Sequence, residues 1–156
     1  MAPPATPAPA DEPETIVFRP RLARLVGLGV GTFVLVAMLI AAVVLFEAFT
    51  LADSVGFAAL GIAIWYFCYR EATVRVTARP DRLVVRNLFT TRELEWAEVV
   101  AVSFPQGDPW AHLDLSDGDT IATMALQRAD GEQGIAGARR LAGLVHERGE
   151  AAGPAA

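Results

Sequence analysis

The chain has 156 residues, a formal net charge of −5 at pH 7, 53% hydrophobic residues and 20% charged residues. This length suits one short membrane module and one small domain of about 80 residues, and the mean hydropathy of +0.37 is high for a soluble protein and low for a polytopic transporter. All of the basic residues are arginine. Only one residue is a cysteine, so no disulfide forms within the chain and the sequence does not require an oxidising compartment.

Residues 1–18 are predicted to form a disordered tail. This segment is rich in proline and alanine and contains three acidic residues, so it has little apolar surface to bury. The apolar run that follows starts too late and is too long for a secretory signal peptide, which favours an uncleaved membrane anchor.

Two long apolar segments follow the tail. Residues 25–46 contain no charged residue and would extend about 33 Å as a helix, against about 30 Å for the hydrocarbon core of a bilayer. Residues 51–69 would extend about 28 Å and are interrupted only by Asp53, near their start. The sequence therefore predicts a transmembrane helical hairpin over residues 19–70, with Glu47 and Asp53 in the connecting turn.

Arginines set the predicted orientation of this hairpin. Arg19, Arg21 and Arg24 precede the first span and Arg70 and Arg75 follow the second, whereas the connecting turn carries only acidic residues. Because basic residues concentrate on the cytoplasmic side of membrane spans, we expect a protein of the cell membrane with both termini in the cytoplasm.

Two features of the hairpin admit more than one interpretation. Gly27 and Gly31 form a G-x-x-x-G pattern, which indicates close helix packing either between the two spans or between copies of the chain in a homo-oligomer. Asp53 is compatible with an intramembrane ion site, but its place at the edge of the span favours a turn residue at the interface.

From residue 71 the hydrophobic pattern changes from helical to alternating, as in half-buried strands. An Asp-Gly pair between two alternating runs indicates a tight hairpin. Six strands are predicted, over residues 73–78, 83–87, 91–96, 99–104, 110–115 and 120–126.

An amphipathic helix is predicted after the strands, over residues 135–148. Its apolar residues fall within about half of a helical wheel, and Gly149 is expected to end it. A helix with one apolar face would cover the open end of a small barrel. Residues 150–156 are predicted to form a second disordered tail.

Three motifs carry a resemblance to a known fold: V-R-V-T-x-x-x-D-R-L-V-V-R-N-L-F over residues 74–89, L-E-W-A-E-V-V-A-V over 94–102 and D-L-S-D-G-D over 114–119. With the closing helix, they resemble bacterial pleckstrin-homology-like (PH-like) domains, above all the actinobacterial type named after a low molecular weight protein antigen. In that type the domain follows two membrane spans. The resemblance implies an α+β fold over residues 71–149, a bent barrel of six to seven antiparallel strands capped by a C-terminal α-helix. The seventh strand is expected from the stretch 83–104.

Charge is uneven along the predicted domain. Residues 70–92 contain six arginines and two acidic residues, a net charge of +4, whereas residues 93–156 have a net charge of −7. The basic stretch starts where the second span ends, which is where anionic lipid headgroups would lie. Four arginines on or around the first strand hairpin are therefore candidate lipid contacts: Arg75, Arg79, Arg82 and Arg86.

The sequence shows no arrangement for catalysis, a cofactor or a metal. The three aspartates around the Asp-Gly turn lack the spacing of a calcium loop, and His112 and His146 have no partners at ligand spacing. Cys68 has no adjacent base in the sequence that would make it a nucleophile. We expect no enzyme activity, no cofactor, no metal and no nucleic-acid partner.

The leading hypothesis is a non-enzymatic interaction or scaffold module at the cytoplasmic membrane face, which binds an unknown protein partner through a groove or an exposed strand edge. One alternative is a sensor of anionic membrane lipids that works through the arginine-rich first hairpin. A further alternative is a subunit of a membrane enzyme or transport complex.

Overall fold

The computed structural model describes residues 14–44 and 50–151, with only the backbone described at residue 151. The tail up to residue 13, the end of the first predicted span, the turn at Glu47 and the tail beyond residue 151 lie outside the described residues. The helices and strands, in chain order, are β1 (Ile16–Phe18), α1 (Arg21–Val44), α2 (Leu51–Ala72), β2 (Arg75–Ala78), β3 (Arg82–Arg86), β4 (Thr91–Glu95), β5 (Val99–Ser103), β6 (Trp110–Leu115), β7 (Thr120–Gln127) and α3 (Glu132–Ala151).

Helices α1 and α2 pack side by side in opposite directions. A Cβ atom added at Gly31 would lie 2.8 Å from Cβ of Cys68, and one added at Gly61 would lie 2.9 Å from Cβ of Met38. Contacts therefore run from the start of one helix to the end of the other. By length and composition both helices could cross a membrane, and most of their apolar side chains are exposed.

The G-x-x-x-G pattern faces the partner helix within the chain. Gly31 is buried against Cys68, and a Cβ atom added at Gly27 would lie 3.9 Å from the Cys68 carbonyl oxygen. The contact seen is the one between the two spans, and packing between copies of the chain stays a prediction. At the start of α2, the Asp53 carboxylate accepts a hydrogen bond from the Thr50 backbone N–H, 3.0 Å away, and so caps the helix. Asp53 therefore lies in the first turn of α2 and not in the connecting turn where the sequence predicted it.

The strands form two antiparallel sheets, in the orders β1-β2-β3-β4 and β5-β6-β7. The six strands predicted from the sequence are confirmed as β2 to β7. Buried side chains from both sheets and from α3 form one core, including Leu83, Leu113 and Leu141, which have no exposed surface. The confirmed fold is α+β, with two apolar helices joined to a bent barrel that α3 closes.

The seventh strand requires a correction. The stretch 83–104 provides no additional strand, and the seventh strand is β1, which precedes α1 and pairs Phe18 with Val76. The sequence analysis placed residues 16–18 in a disordered tail. Three residues are too few to show an alternating pattern, and the strand they pair with is distant in sequence. The domain is therefore built from segments on both sides of the helical pair.

Helix α3 also differs from its prediction at its C-terminal end. It continues through Gly149 to Ala151, because Gly149 does not have the positive φ angle of a terminating glycine. At its N-terminal end, α3 approaches β7 very closely, since a Cβ atom added at Gly134 would collide with the Gln127 carbonyl oxygen. Glycine at this position allows the helix to start directly against the sheet.

Candidate functional site

The domain has two ends, and arginines of the first strand hairpin lie at both of them. We call the end at which α1 begins and α2 finishes the hairpin-proximal end, and the opposite end the far end. Strand β2 starts directly after α2 and runs from the hairpin-proximal end to the far end, and β3 returns. This path separates the four arginines that the sequence analysis grouped together.

Arg75 and Arg86 lie at the hairpin-proximal end, where they are directly opposite each other on β2 and β3. They line a cavity of about 280 Å³ together with Arg19 and Arg24. Arg19 lies just before α1, and Arg24 lies in its first turn. None of these four side chains forms an ion pair with another of the described residues. The structure therefore brings together four arginines with uncompensated charge, two of which the sequence analysis used only to set the orientation.

Arg79 and Arg82 lie at the far end, about 13 Å along the strands from Arg75 and Arg86. The Arg82 guanidinium donates to Asp81 at 2.7 Å and to Glu93 at 3.0 Å. The hydrogen bond between Arg82 and Asp81 lowers the pKa of the Asp81 carboxyl. The hydrogen bonds to Asp81 and Glu93 raise the pKa of Arg82. The charge of Arg82 is thus already balanced within the domain.

Two hydrogen bonds join the hairpin-proximal end of the domain to the start of α1. The backbone N–H groups of Arg21 and Leu22 donate to the two carboxylate oxygens of Asp130, at 3.1 and 2.9 Å. The first turn of α1 has no acidic residue of its own, so Asp130 supplies both the acceptor and the negative charge that a helix N-terminus favours. The sequence analysis missed this role, and the signal available to it was the lack of a capping residue before Arg21.

The turn between β3 and β4 is also at the hairpin-proximal end. The Arg70 guanidinium donates to the Leu88 carbonyl oxygen at 2.6 Å, which fixes this turn to the end of α2. The Asn87 side chain holds the turn from the other side, through a donor bond to the Ala122 carbonyl oxygen. Between these anchors Phe89 is 81% exposed, although it is a large apolar residue. Phe89 is therefore an exposed apolar side chain held next to the end of α2.

A second surface lies towards the far end, between β5 and the C-terminal half of α3. It is a groove of about 480 Å³, and we call it the β5–α3 groove. Strand β5 is an edge strand, which pairs with β6 alone among the described strands. Val100 on β5 is 64% exposed, whereas Val145 on α3 is buried in the core below. The groove thus combines an open strand edge with apolar surface.

The end of the β5–α3 groove is held in place by Trp96 and Arg148. The Trp96 indole N–H donates to the Arg79 carbonyl oxygen at 3.1 Å, and the Arg148 guanidinium donates to the same oxygen at 2.7 Å. The guanidinium carbon also lies 5.1 Å from the centre of the Trp96 ring, a cation–π distance. These contacts tie α3 to the β2–β3 turn, so the groove is a preformed surface.

Comparison with known protein families identifies the domain. Residues 73–144 match the family described as the bacterial PH domain. These residues run from the end of α2 into α3, and they contain six of the seven strands. The match assigns residues 73–144, and not the whole chain, to the bacterial PH domain family, and the upstream strand β1 pairs with this segment.

The similar curated proteins are actinobacterial. The chain is 39% identical over 88 residues to the uncharacterized protein Rv1417 of Mycobacterium tuberculosis and to the uncharacterized protein Mb1452 of Mycobacterium bovis. The aligned segment covers 56% of this chain and 57% of each relative. No solved structure matches the chain. The family match suggests a binding or scaffold module, and the printed names of the relatives assign no function.

Proposed function

We propose that the protein is a membrane-anchored, non-enzymatic interaction module. Its two apolar helices hold the PH domain at the cytoplasmic face of the cell membrane, and the β5–α3 groove binds an extended segment of a protein partner. The observation that carries this proposal is the open edge of β5, with Val100 exposed beside a preformed groove. Addition of a strand to such an edge supplies backbone hydrogen bonds, and the groove selects side chains.

Membrane anchoring is supported by the surface of the helices. Large apolar side chains on both helices are exposed, and a surface of this kind is costly in water and favourable in lipid. Trp65 and Tyr69 stack at a ring distance of 5.5 Å near the end of α2, where aromatic residues favour the membrane interface. The arginines at the hairpin-proximal end favour a cytoplasmic domain by the positive-inside rule.

Site-specific photo-cross-linking in cells tests the proposed groove. A cross-linker at His146, on the α3 wall of the groove, is expected to capture one defined partner. The variant Val100→Asp should abolish this product, because it places a charge on the open strand edge. Val17→Asp changes an exposed valine on an edge strand of the other sheet, β1, and should leave the product unchanged. Equal loss with both variants would contradict binding at β5.

Contact with anionic lipid is a second candidate function. It is favoured by the four uncompensated arginines and the exposed Phe89 at the hairpin-proximal end. Each arginine near an anionic surface contributes about 1 kcal/mol of attraction. The full chain is required for a test, because β1 belongs to the domain.

An environment-sensitive dye on a cysteine at position 89, in a Cys68-free chain in lipid nanodiscs, reports this contact. Its emission should shift to the blue when the nanodiscs contain anionic lipid. Replacing Arg75 and Arg86 by glutamine should reduce the shift, and replacing Arg79 and Arg82 should not. A smaller blue shift after replacement of Arg79 and Arg82, but not of Arg75 and Arg86, would show that the far end contacts the lipid.

A further inference from the structure

A larger cavity, of about 830 Å³, lies between the start of α1, strand β1 and the N-terminal half of α3. We call it the junction cavity. It is separate from the β5–α3 groove, and it shares Arg19 and Arg24 with the smaller cavity lined by Arg75 and Arg86. Its wall has a basic part and an apolar part, and these two parts together define the ligand.

The basic part consists of four exposed arginines. None of them forms a side-chain hydrogen bond or an ion pair with another of the described residues. The single acidic residue among those lining the cavity is Asp130, whose oxygens accept the two backbone N–H groups at the start of α1. The cavity thus has an uncompensated positive charge, provided by Arg19, Arg21, Arg24 and Arg140.

The apolar part continues from the basic part along α1. Leu25, Leu28 and Gly29 line the cavity on successive turns of this helix, and Leu25 is 77% exposed. No atom lies within 4 Å of a Cβ added at Gly29, so this wall is open. Because α1 enters the membrane in the proposed arrangement, the open side of the cavity faces the lipid. A free anion would leave this apolar wall without a contact.

We infer that the junction cavity binds one anionic phospholipid from the leaflet that the domain faces. Its phosphate lies among the arginines, and one acyl chain follows Leu25 and Leu28 along α1. The cavity volume of about 830 Å³ falls within the range of ligand-binding pockets. A lipid bound here contacts α1, β1 and α3 together, and so fixes the angle between the domain and the helices. This inference depends on the membrane anchoring proposed above.

Native mass spectrometry of the full chain, purified in detergent from the membrane fraction, tests the inference. The probes are phosphatidylglycerol and phosphatidylcholine with the same acyl chains. We expect one phosphatidylglycerol retained per chain and much weaker retention of phosphatidylcholine. Equal retention of the two lipids would overturn the assignment of the arginines to the phosphate.

Adjacent arginines on α3 provide a matched pair of variants. Arg140→Gln removes a charge that lines the cavity, whereas Arg139→Gln removes an equally exposed charge outside it. One arginine contributes about 1 kcal/mol near an anionic lipid, so Arg140→Gln should weaken phosphatidylglycerol binding about fivefold. Arg139→Gln should change it less than twofold. An equal loss in both variants would mean a diffuse surface charge and no defined site.

Two glycines provide a matched steric pair. Gly29→Leu fills the open wall of the cavity and should displace the acyl chain, which would reduce lipid retention at least tenfold. Gly56→Leu on α2 has equally free space and lies outside the cavity, so it should have no effect. Retention of phosphatidylglycerol by Gly29→Leu at the level of the unchanged protein would overturn the proposed path of the chain.

Inorganic phosphate separates the two sources of the anion. At millimolar concentration it should not displace phosphatidylglycerol, and displacement would identify a site for free phosphate instead. Recovery of the protein from the membrane fraction reports anchoring independently. A chain found in the membrane fraction without retained phosphatidylglycerol would contradict the junction cavity alone, and a chain in the soluble fraction would contradict the anchoring.

Discussion

The hairpin-proximal and far ends of the PH domain contain the same residue type in different electrostatic states. Arg75 and Arg86 share a cavity with two further arginines and have no ion pair among the described residues. Arg82, on the same strand pair, is bonded to Asp81 and Glu93. Membership of the first hairpin therefore does not decide whether an arginine is free to meet a ligand, because Arg82 is paired within the domain and Arg75 and Arg86 are not.

Loss of β1 should disturb this arrangement most, because β1 connects the domain to α1. Phe18 is 9% exposed and belongs to the core, so Phe18→Ala is expected to lower the free energy of unfolding of the full chain by about 3 to 4 kcal/mol. Val17→Ala alters the exposed face of the same strand and should cost less than about 1 kcal/mol. Thermal unfolding in detergent measures both. If Phe18→Ala left the free energy of unfolding unchanged, β1 would not be part of the domain.

Packing of the two helices should be the next most sensitive feature. Gly31→Leu places a side chain where even a Cβ atom would lie 2.8 Å from Cβ of Cys68, so we expect a loss of about 1 to 3 kcal/mol in stability. Gly56→Leu is the control, because nothing lies within 4 Å of its added Cβ. The same thermal measurement applies. Equal stability of the two variants would contradict the observed helix contact.

Removal of the contact between Asp130 and α1 should have a smaller effect. Asp130→Ala leaves two backbone N–H groups of α1 without their acceptors and should cost about 1 kcal/mol. Asp130→Asn keeps one side-chain oxygen as acceptor and should recover part of this loss. Hydrogen exchange at the amides of Arg21 and Leu22 locates the effect, which should be absent from the far end. Faster exchange throughout the domain would argue against a local cap.

The ion pairs of Arg82 should matter least. The hydrogen bond from Arg82 lowers the pKa of Asp81, so its stabilising contribution is present above about pH 4 and is lost as the pH falls through the pKa of the folded state. Both side chains are exposed to solvent, and we expect Arg82→Ala to change the melting temperature at pH 7 less than Asp130→Ala does. A pH titration of thermal stability measures this difference. A larger effect of Arg82→Ala would mean that the ion pairs of Arg82 contribute more to stability than the contact between Asp130 and α1.

Much of this fold is predictable from the sequence because its signals are local. Six strands and α3 each follow a periodic pattern in a continuous segment, and the two apolar helices are long apolar runs. Strand β1 and the Asp130 cap are not predictable in this way, since each depends on a partner distant in sequence. The four arginines of the first hairpin were identified as candidates, but only the three-dimensional path of β2 and β3 separates Arg75 and Arg86 from Arg79 and Arg82.

We propose that the hairpin-proximal end faces the cytoplasmic side of a membrane. The most direct test is cysteine labelling in intact cells, in a Cys68-free background, with one cysteine at Ala52 at the start of α2 or at Asp117 in the β6–β7 turn. We predict that a membrane-impermeant reagent labels position 52 in intact cells and labels position 117 only after permeabilisation. Labelling of position 117 in intact cells would place the PH domain outside the cell and contradict the proposed function.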